Sequence, residues 1–349
     1  MRCLAVLLML VPLVARADDP KRGLDIYFVD VMGGAATLIV TPERESILID
    51  SGWPGFHDRD PKRIVHALKD LAGCDHLDHL VTTHWHTDHY GGVEGLTKLV
   101  RIDRFWDRGL PEDGTSEDFP DGPKPDDPLG IAYRKASQGK RTALSAGERV
   151  PLKGDISLLV LASGGRVATP DDLRIMQPVA NPLCADAPPD KPVDPSDNAR
   201  SLAFKLTMGR FDFLDCGDLT WNVEKKLVCP VNLIGPIDLF QVTHHGMDIS
   251  NHPTLVRSIA PTVAVMNNGP RKGGSPATVK LLKSIDSIQA LYALHRNQAA
   301  GPEDNADPKL TANADPAGGE LIHVHVEPDG GKFTVRVGAK GEAREFSCR

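Results

Sequence analysis

Residues 80–93 read LVTTHWHTDHYGGV, in which a short apolar run leads directly into three of the chain's 13 histidines. His84, His86, Asp88 and His89 fall within six residues. Imidazole and carboxylate groups are the ligands that zinc and similar dications take in proteins. If the strand ends just before the first histidine, a tight turn can point His84 and His86 at one ion and Asp88 and His89 at a second. The stretch therefore predicts a metal site rather than histidines that never meet.

The chain around this stretch predicts two β-sheets. Strand-like runs LDIYFVDV, AATLIVT and SILIDSG precede the helical pattern DPKRIVHALKDLA, and the strand HLDHLVTTH then delivers the histidines. The second half repeats this order with strands such as RFDFLDCGD, DLFQVTHHG and TVAVMNN and the helix SPATVKLLKSI. Strands followed by a helix and a strand, twice over, predict an α/β (α+β) fold. We expect an αββα sandwich of two mixed sheets with helices on the outer faces.

The N-terminal residues 1–17 have the features of a cleaved signal peptide. Arg2 precedes an apolar run, and the run ends at a small-x-small site formed by Ala15, Arg16 and Ala17. The run of about eleven apolar residues is too short to span a membrane, which takes about 20. We therefore expect export, to the periplasm or to the medium, and no integral membrane segment in the mature chain.

Residues 18–349 are expected to form a single domain. Two stretches rich in proline, aspartate and glycine, near 107–128 and 178–197, are read as loop insertions because strand signals lie between them. Five cysteines follow the signal segment, an odd number that permits at most two disulfides in an oxidising compartment. The sequence does not say which of them pair: Cys74, Cys184, Cys216, Cys229 and Cys348.

The net charge limits the partners. The chain carries a formal charge of −7 at pH 7, and the loss of Arg2 and Arg16 with the signal segment makes it more negative. Nucleic-acid affinity rests mainly on lysine and arginine replacing counterions. A nucleic-acid partner is therefore not favoured.

The motif HWHTDH has the His-x-His-x-Asp-His form of the metallo-β-lactamase fold, and the predicted sandwich is similar to that family's architecture. ILIDSG resembles its first motif, in which Asp50 supports the metal loop by hydrogen bonding. FLDCGDL resembles its fourth motif and offers Asp218 as a carboxylate that bridges two ions. VTHHGMDIS resembles its last ligand motif. Because neighbouring side chains of a strand point oppositely, one of His244 and His245 is expected to bind metal, unless the strand has already ended. The other could hold substrate or a leaving group.

One departure from the family's pattern is the absence of its usual third histidine. Where that motif falls, the chain reads SDNARSLAFKL, with Asn198 in place of an imidazole. Asn-x-x-Ser-Leu, then Gly-Asp, then His-His-Gly resembles the branch of soluble ComEC/Rec2 DNA-uptake domains and secreted phosphorylcholine esterases. The resemblance implies a first ion held by His84, His86 and Asp218. It implies a second ion held by Asp88, His89, Asp218 and a histidine of the 244/245 pair.

These features predict a hydrolase that uses two divalent ions, with zinc as the first choice and manganese as the alternative. Two dications about 3.5 to 4 Å apart suit in-line displacement at phosphorus. We expect phosphoester or phosphodiester cleavage by a hydroxide that bridges the ions. Asn198 or the non-ligating histidine would donate a hydrogen bond to the developing anion, and Asp88 or a metal-bound water would help to move protons.

Two other functions stay open at this point. The same ions could hydrolyse a carboxylic ester, a lactone or a lactam, and a chain of this fold could be a noncatalytic DNA-uptake or binding accessory protein. The expected substrate is a small-molecule or surface-linked phosphoester.

Other signals are weaker. The glycine-rich stretch NNGPRKGGSP, residues 267–276, is read as a plain loop, with a cationic contact to an anionic substrate as the alternative. Cys216 is expected to be a buried thiol or a disulfide partner rather than a ligand. His323 and His325 alternate with valines and are expected to lie on an ordinary half-exposed strand.

Overall fold

The structure is a computed structural model and describes residues 22–110 and 121–349. The predicted signal segment, residues 1–17, lies outside the described residues, and so does part of the insertion predicted near 107–128. Within the described ranges, no helix is both long enough and apolar enough to cross a membrane.

Two sheets, each with nine strands among the described residues, form the centre of the fold. The first six strands belong to the first sheet: β1 (Leu24–Phe28), β2 (Thr37–Val40), β3 (Ser46–Ile49), β4 (Leu77–Val81), β5 (Ile102–Asp107) and β6 (Arg141–Ala143). The next nine build the second sheet: β7 (Arg149–Val150), β8 (Ile156–Ser163), β9 (Arg166–Val167), β10 (Ala203–Met208), β11 (Phe211–Asp215), β12 (Leu239–Gln241), β13 (Val263–Met266), β14 (Ala290–His295) and β15 (Thr311–Asn313). The last three return to the first sheet: β16 (Ile322–Val326), β17 (Lys332–Val337) and β18 (Arg344–Ser347).

The sheets are mixed and pack face to face. One sheet runs in the order β18-β17-β16-β1-β2-β3-β4-β5-β6 and the other in the order β15-β14-β13-β12-β11-β10-β8-β7, with β9 on β8. The inner faces share one apolar core, in which the rings of Phe28 and Phe213 meet edge to face with centroids 6.1 Å apart. The alternation seen in the sequence places one apolar set on this inner face and a second set under the helices.

Helices cover both outer faces. On the first sheet lie α1 (Arg59–His66), continued by a π-helical turn at Ala67–Leu71, then α2 (Thr87–Tyr90), α3 (Val93–Leu99) and α4 (Pro128–Ser137). On the second sheet lie α5 (Trp221–Lys226), α6 (Pro253–Ile259) and α7 (Pro276–Lys283). The predicted αββα sandwich is confirmed.

Parallel strands bring the motif loops to one edge of the sandwich. β3, β4 and β5 run parallel in the first sheet, and β11, β12, β13 and β14 run parallel in the second. The loops that follow the carboxyl ends of such strands meet at the same edge, where ligands of open α/β sheets bind. HWHTDH follows β4, FLDCGDL spans the end of β11 and VTHHG follows β12.

A disulfide joins Cys184 to Cys229 and ties the 178–197 insertion to the chain after α5. Among the described residues Cys74, Cys216 and Cys348 are free thiols. Cys216 is buried in the apolar layer between the second sheet and its helices, in agreement with the expectation of a buried thiol. His323 and His325 both contact Asp25 on a partly exposed strand, as expected.

Candidate metal centre

Asp50 fixes the loop that follows β4. It comes directly after β3 with a left-handed backbone (φ 60°), and its side chain is buried. One carboxylate oxygen accepts the backbone N–H of Thr83 at 2.8 Å, and the other accepts the Thr83 hydroxyl at 2.7 Å. The second oxygen also lies 2.7 Å from Nδ1 of His89. Asp50 therefore sets both the path of the loop and the orientation of one histidine ring.

The carboxylate of Asp218 lies where the histidines converge. Asp218 Oδ2 is 3.2 Å from Nε2 of His89, 3.4 Å from Nε2 of both His244 and His245, and 3.9 Å from Nε2 of His84. Each of these side chains is buried or nearly so. One carboxylate thus faces four imidazole nitrogens contributed by two loops.

The turn before Asp218 packs closely against the loop that follows β4. Gly217 has φ 51°, and a Cβ atom there would lie 3.1 Å from Cβ of Thr83. The backbone N–H of Asp218 donates to the hydroxyl of Ser201 at 3.2 Å. Leu202 N–H donates to the carbonyl of Thr83 at 2.9 Å. The segment after Asn198 therefore abuts both loops of the centre.

His244 and His245 both face this centre because the strand ends before them. β12 stops at Gln241, and residues Thr243–Gly246 form a tight turn in which His244 and His245 have φ of 55° and 54°. The alternation of a strand therefore does not apply. The sequence left open the case in which the strand ends before both histidines, and this is the arrangement found. Both Nε2 atoms come equally close to Asp218.

In each of these four histidines a neighbour holds the outer ring nitrogen. Nδ1 of His84 lies 3.0 Å from the Thr83 hydroxyl, that of His89 lies 2.7 Å from Asp50, that of His244 lies 3.1 Å from the Ser250 hydroxyl, and that of His245 lies 3.3 Å from the Asn267 carbonyl. The Thr83 and Ser250 hydroxyls donate elsewhere, to Asp50 and to the Leu219 carbonyl. All four partners therefore accept from Nδ1–H, so each neutral ring directs the lone pair of Nε2 inward. This tautomer is the one that binds a metal.

Asp88 completes a compact donor set. Its Oδ2 lies 3.3 Å from Nε2 of both His89 and His245. One donor atom from each of Asp88, His89, Asp218 and His245 lies within 4.8 Å of the others, and all four side chains are buried. Imidazole and carboxylate donors in this number suit a zinc-like dication.

Two carboxylates and two histidines of the metal-free centre have the charge states that ligands need. Burial alone would raise the pKa of Asp218, but His244 and His245 overcome it and hold that pKa well below its usual range. Asp88 behaves in the same way beside His89. Burial lowers the pKa of His84 well below its usual range and that of His244 to about 4. The carboxylates are thus ionised and these two imidazoles neutral, as metal binding requires.

The pKa values of two buried histidines are raised in the absence of an ion, which favours a second ring proton on them. Burial would lower the pKa of His89, but Asp218, Asp88 and Asp50 raise it well above its usual range. Burial would also lower the pKa of His245, and Asp218 raises it. A bound dication would displace these protons, because ligand imidazoles must be neutral.

The residues present fit the metal that the motifs imply. Nε2 of His84 is buried and has no hydrogen-bond partner among the described residues, although its ring is anchored on the other side. A buried polar atom without a partner is costly unless something binds it. His84 with Asp218, and Asp88 with His89, Asp218 and His245, provide donors on both sides of one carboxylate.

Two residues predicted for the site, His86 and Asn198, lie outside the group of four histidines that faces Asp218. His86 uses Nε2 to contact Asp121 at 2.8 Å, so Nδ1 is the nitrogen left for an ion. Its ring centroid is 4.7 Å from that of His84. Asn198 is buried beside the centre, and its side-chain oxygen has no hydrogen-bond partner among the described residues. Its role toward substrate stays a prediction.

Lys272 is a site residue that the sequence reading assigned to a plain loop. Its Nζ pairs with Asp88 Oδ2 and lies 5.2 Å from the centroid of the Trp53 ring. The glycine-rich loop is bonded to the histidine turn, because Gly274 N–H donates to the His245 carbonyl at 2.9 Å. A Cβ on Gly273 would lie 2.1 Å from that carbonyl oxygen. The sequence signal that could have indicated Lys272 was the position of its loop, which follows β13 at the same edge as the other motifs.

The sequence motifs also did not indicate a buried ion pair that lies behind the loop after β4. Asp197 accepts the backbone N–H of Trp85 at 2.7 Å and pairs with the guanidinium of Arg108, which follows β5. Both side chains are almost fully buried. Asp197 adjoins Asn198 in the sequence, but its partner lies 89 residues away and no local pattern indicates it.

The Asp197→Ala variant should lose about 3 to 5 kcal/mol of unfolding free energy, because the charge of Arg108 would stay buried without this carboxylate. Urea unfolding of the two proteins measures the difference. The Asp194→Ala variant removes a nearby, partly exposed carboxylate and is the control. A midpoint for Asp197→Ala equal to that of the wild type would contradict the role assigned to this pair.

Comparison with known proteins agrees with the fold and the loop motif. Residues 29–135 match the family model of the Metallo-beta-lactamase superfamily. The Beta-lactamase-like protein 2 homolog of Caenorhabditis elegans is 32% identical over 69 residues, which are 19% of this chain and 22% of that protein. The match therefore spans less than a quarter of the relative's length.

Two solved structures overlap more of the chain at low identity. A mutant of the CmlA beta-hydroxylase covers 80% of this chain and 53% of its own, with 16% identity and a TM-score of 0.44. A diphosphatase from the PhnP family covers 71% of this chain and 87% of its own, with 12% identity and a TM-score of 0.36. None of these proteins tests the resemblance to the ComEC/Rec2 branch, which stays a prediction. From the family match over residues 29–135 and the two-sheet architecture, we conclude that the chain has a metallo-β-lactamase fold.

Proposed function

We propose that the protein is an exported, metal-dependent hydrolase that cleaves phosphoester bonds. One observation carries the proposal: Oδ2 of Asp218 lies 3.2 to 3.9 Å from Nε2 of four histidines. A carboxylate with imidazoles on several sides can share its charge between two dications. Such pairs occur in enzymes that displace a group in line at phosphorus.

The donors divide into two sets around Asp218. Asp88, His89 and His245 belong to one set, because their donor atoms cluster with that of Asp218 within 4.8 Å. His84 and His86 belong to the other, as the family resemblance implies. When bound, the ions would supply positive charge that lowers the pKa of a water and neutralises charge on phosphoryl oxygens.

The tautomer of His244 changes the role proposed for it. The Ser250 hydroxyl accepts from Nδ1–H, so a neutral His244 presents a lone pair at Nε2 and has no proton there to donate to an anion. We therefore propose His244 as an imidazole ligand beside His84. It would take the ligand role that the missing third histidine has in the family. Asn198 remains the candidate for the hydrogen bond to the developing anion.

Lys272 favours an anionic substrate. Its side chain is about one-third exposed, and its ammonium group reaches Asp88 at the rim of the centre. A phosphodiester carries a negative charge at the reacting group, and a lysine at the rim can pair with it. A neutral ester or lactone gains nothing from this contact, so the phosphoester is preferred among the substrates considered.

Export is supported by two features of different kinds. The predicted signal segment at residues 1–17 is the sequence evidence, and the Cys184–Cys229 disulfide is the structural one. Disulfides persist mainly in oxidising compartments.

A hydrolysis screen of the exported protein tests the proposed function. The full chain would be expressed, and periplasmic and extracellular fractions purified without chelator would be assayed with zinc and with manganese. The substrates are bis-p-nitrophenyl phosphate, p-nitrophenyl phosphate, nitrocefin and single-stranded DNA. We expect the first to be cleaved fastest. Preferential cleavage of nitrocefin would favour a lactam, and no turnover by a protein with two metal equivalents would favour an accessory role.

The Lys272→Ala variant should raise KM for bis-p-nitrophenyl phosphate by about tenfold, the size of one charge-assisted hydrogen bond. The effect on kcat should be smaller, because the contact is to the substrate's charge rather than to the leaving group. Steady-state kinetics give both constants. The matched control is Arg271→Ala, which removes the exposed neighbouring cation. Equal effects of the two variants would assign the change to general charge instead.

A further inference from the structure

We infer that Asp121 is a positioning residue of the metal centre, which fixes His86 so that Nδ1 of this ring binds the ion. The inference rests on the proposed metal-dependent function. It concerns a residue that neither the motifs nor the family resemblance indicates.

The contact is direct. Asp121 Oδ2 lies 2.8 Å from Nε2 of His86. A carboxylate at this distance accepts the N–H of an imidazole, so the proton resides on Nε2 and the lone pair on Nδ1. The other four histidines of the centre have the opposite arrangement, with Nδ1 anchored and Nε2 directed inward. His86 is therefore the one histidine of the loop that must present Nδ1.

Asp121 is itself held by the backbone of Asp197, whose side chain belongs to the buried ion pair behind the loop. Its Oδ1 accepts the backbone N–H of Asp197 at 2.7 Å. Asp197 in turn accepts the N–H of Trp85, the residue between the two histidines, and pairs with Arg108. The two oxygens of Asp121 thus connect a buried turn to the ring of His86. These hydrogen bonds can hold the exposed carboxylate of Asp121 in one position.

His86 needs such a partner more than its neighbours do. Its side chain is 27% exposed, whereas the side chains of His84 and His89 are fully buried. Packing fixes the buried rings, but a partly exposed ring can rotate. A carboxylate on the outer nitrogen restricts this rotation and increases the basicity of the inner one.

Metal retention by Asp121→Ala tests the inference without relying on turnover. Loss of an outer contact of this kind costs about 10- to 100-fold in metal affinity. Competition with a chelator should therefore show one of two zinc equivalents leaving at lower chelator concentration than in the wild type. The other equivalent should be retained as before. Asp121→Asn keeps an oxygen that can accept from Nε2–H and should recover part of the lost affinity.

Two controls separate positioning from a structural effect. Asp126→Ala removes an exposed carboxylate of the same loop and should leave both equivalents unchanged. In a His86→Ala background, Asp121→Ala should have no further effect, because the two residues act through one ring. Wild-type retention of both ions by Asp121→Ala would overturn the inference, as would an equal loss with and without His86.

The outcomes also distinguish this inference from the proposed function. If the wild type holds two equivalents and cleaves phosphoesters while Asp121→Ala retains both ions, only the role of Asp121 is wrong. If the wild-type protein holds fewer than two equivalents, the two-ion centre and the role of Asp121 fail together.

Discussion

The Asp218→Ala variant should lose phosphoester hydrolysis and bind fewer than two metal equivalents per chain. Its Oδ2 atom is the point that four imidazoles approach, and no other carboxylate of the centre contacts both donor sets. The loss in kcat/KM should be at least about 1,000-fold, beyond the 10- to 100-fold typical of residues that only support a ligand. Kinetics with bis-p-nitrophenyl phosphate and elemental analysis of the same preparation provide the two measurements.

The fold of this variant should survive, because the histidines that face Asp218, unlike Arg108, can lose a proton and stay buried as neutral rings. Circular dichroism and urea unfolding check that point. The Asp286→Ala variant, which removes an exposed aspartate after α7, is the control and should keep full activity. Turnover near the wild-type rate in Asp218→Ala would end the proposal that this carboxylate joins two ions.

Removal of the metal should lower the melting temperature by about 8 to 16 °C and abolish activity. Binding to the folded state at about 1,000 times Kd contributes roughly 4 kcal/mol, and 1 kcal/mol corresponds to about 2 to 4 °C in a large domain. The apo protein can offset its buried carboxylates by protonating His89 and His245, because Asp218 raises the pKa of both rings against the effect of burial. It should therefore remain folded, and calorimetry before and after dialysis against chelator measures the shift.

Added zinc should restore both the melting temperature and the activity. In Asp218→Ala the same addition should produce little shift, because the shared ligand is gone. A wild-type melting temperature that does not respond to chelator or to zinc would contradict the account, whichever substrate is used.

Much of the fold followed from the sequence because it is encoded locally. The alternation in residues 24–52 and the apolar run before His84 mark strands, and the helical spacing from Asp60 marks α1. The order of strands and helices then leaves few ways to bury both faces of two sheets. Asp50 could be assigned a supporting role because its motif is local, and it contacts His89 directly.

The rest of the candidate site depends on contacts between distant residues. Lys272 meets Asp88 across 184 residues, and Asp197 meets Arg108 across 89. Nothing in a short window distinguishes such residues from solvated charges. The orientation of His244 and His245 depended on where β12 ends, and strand ends are the least certain part of a pattern-based prediction. The left-handed turn that brings both rings inward depends on tertiary contacts, which no local pattern indicates.

The most direct test is a crystal structure with anomalous diffraction data at the zinc edge, from protein purified without chelator. The account predicts two peaks that share Asp218, one beside Asp88, His89 and His245 and the other beside His84 and Nδ1 of His86. A single peak or none at Asp218 would contradict it. A peak only at the partly exposed cluster of His76, Asp78 and Asp103 would contradict it equally.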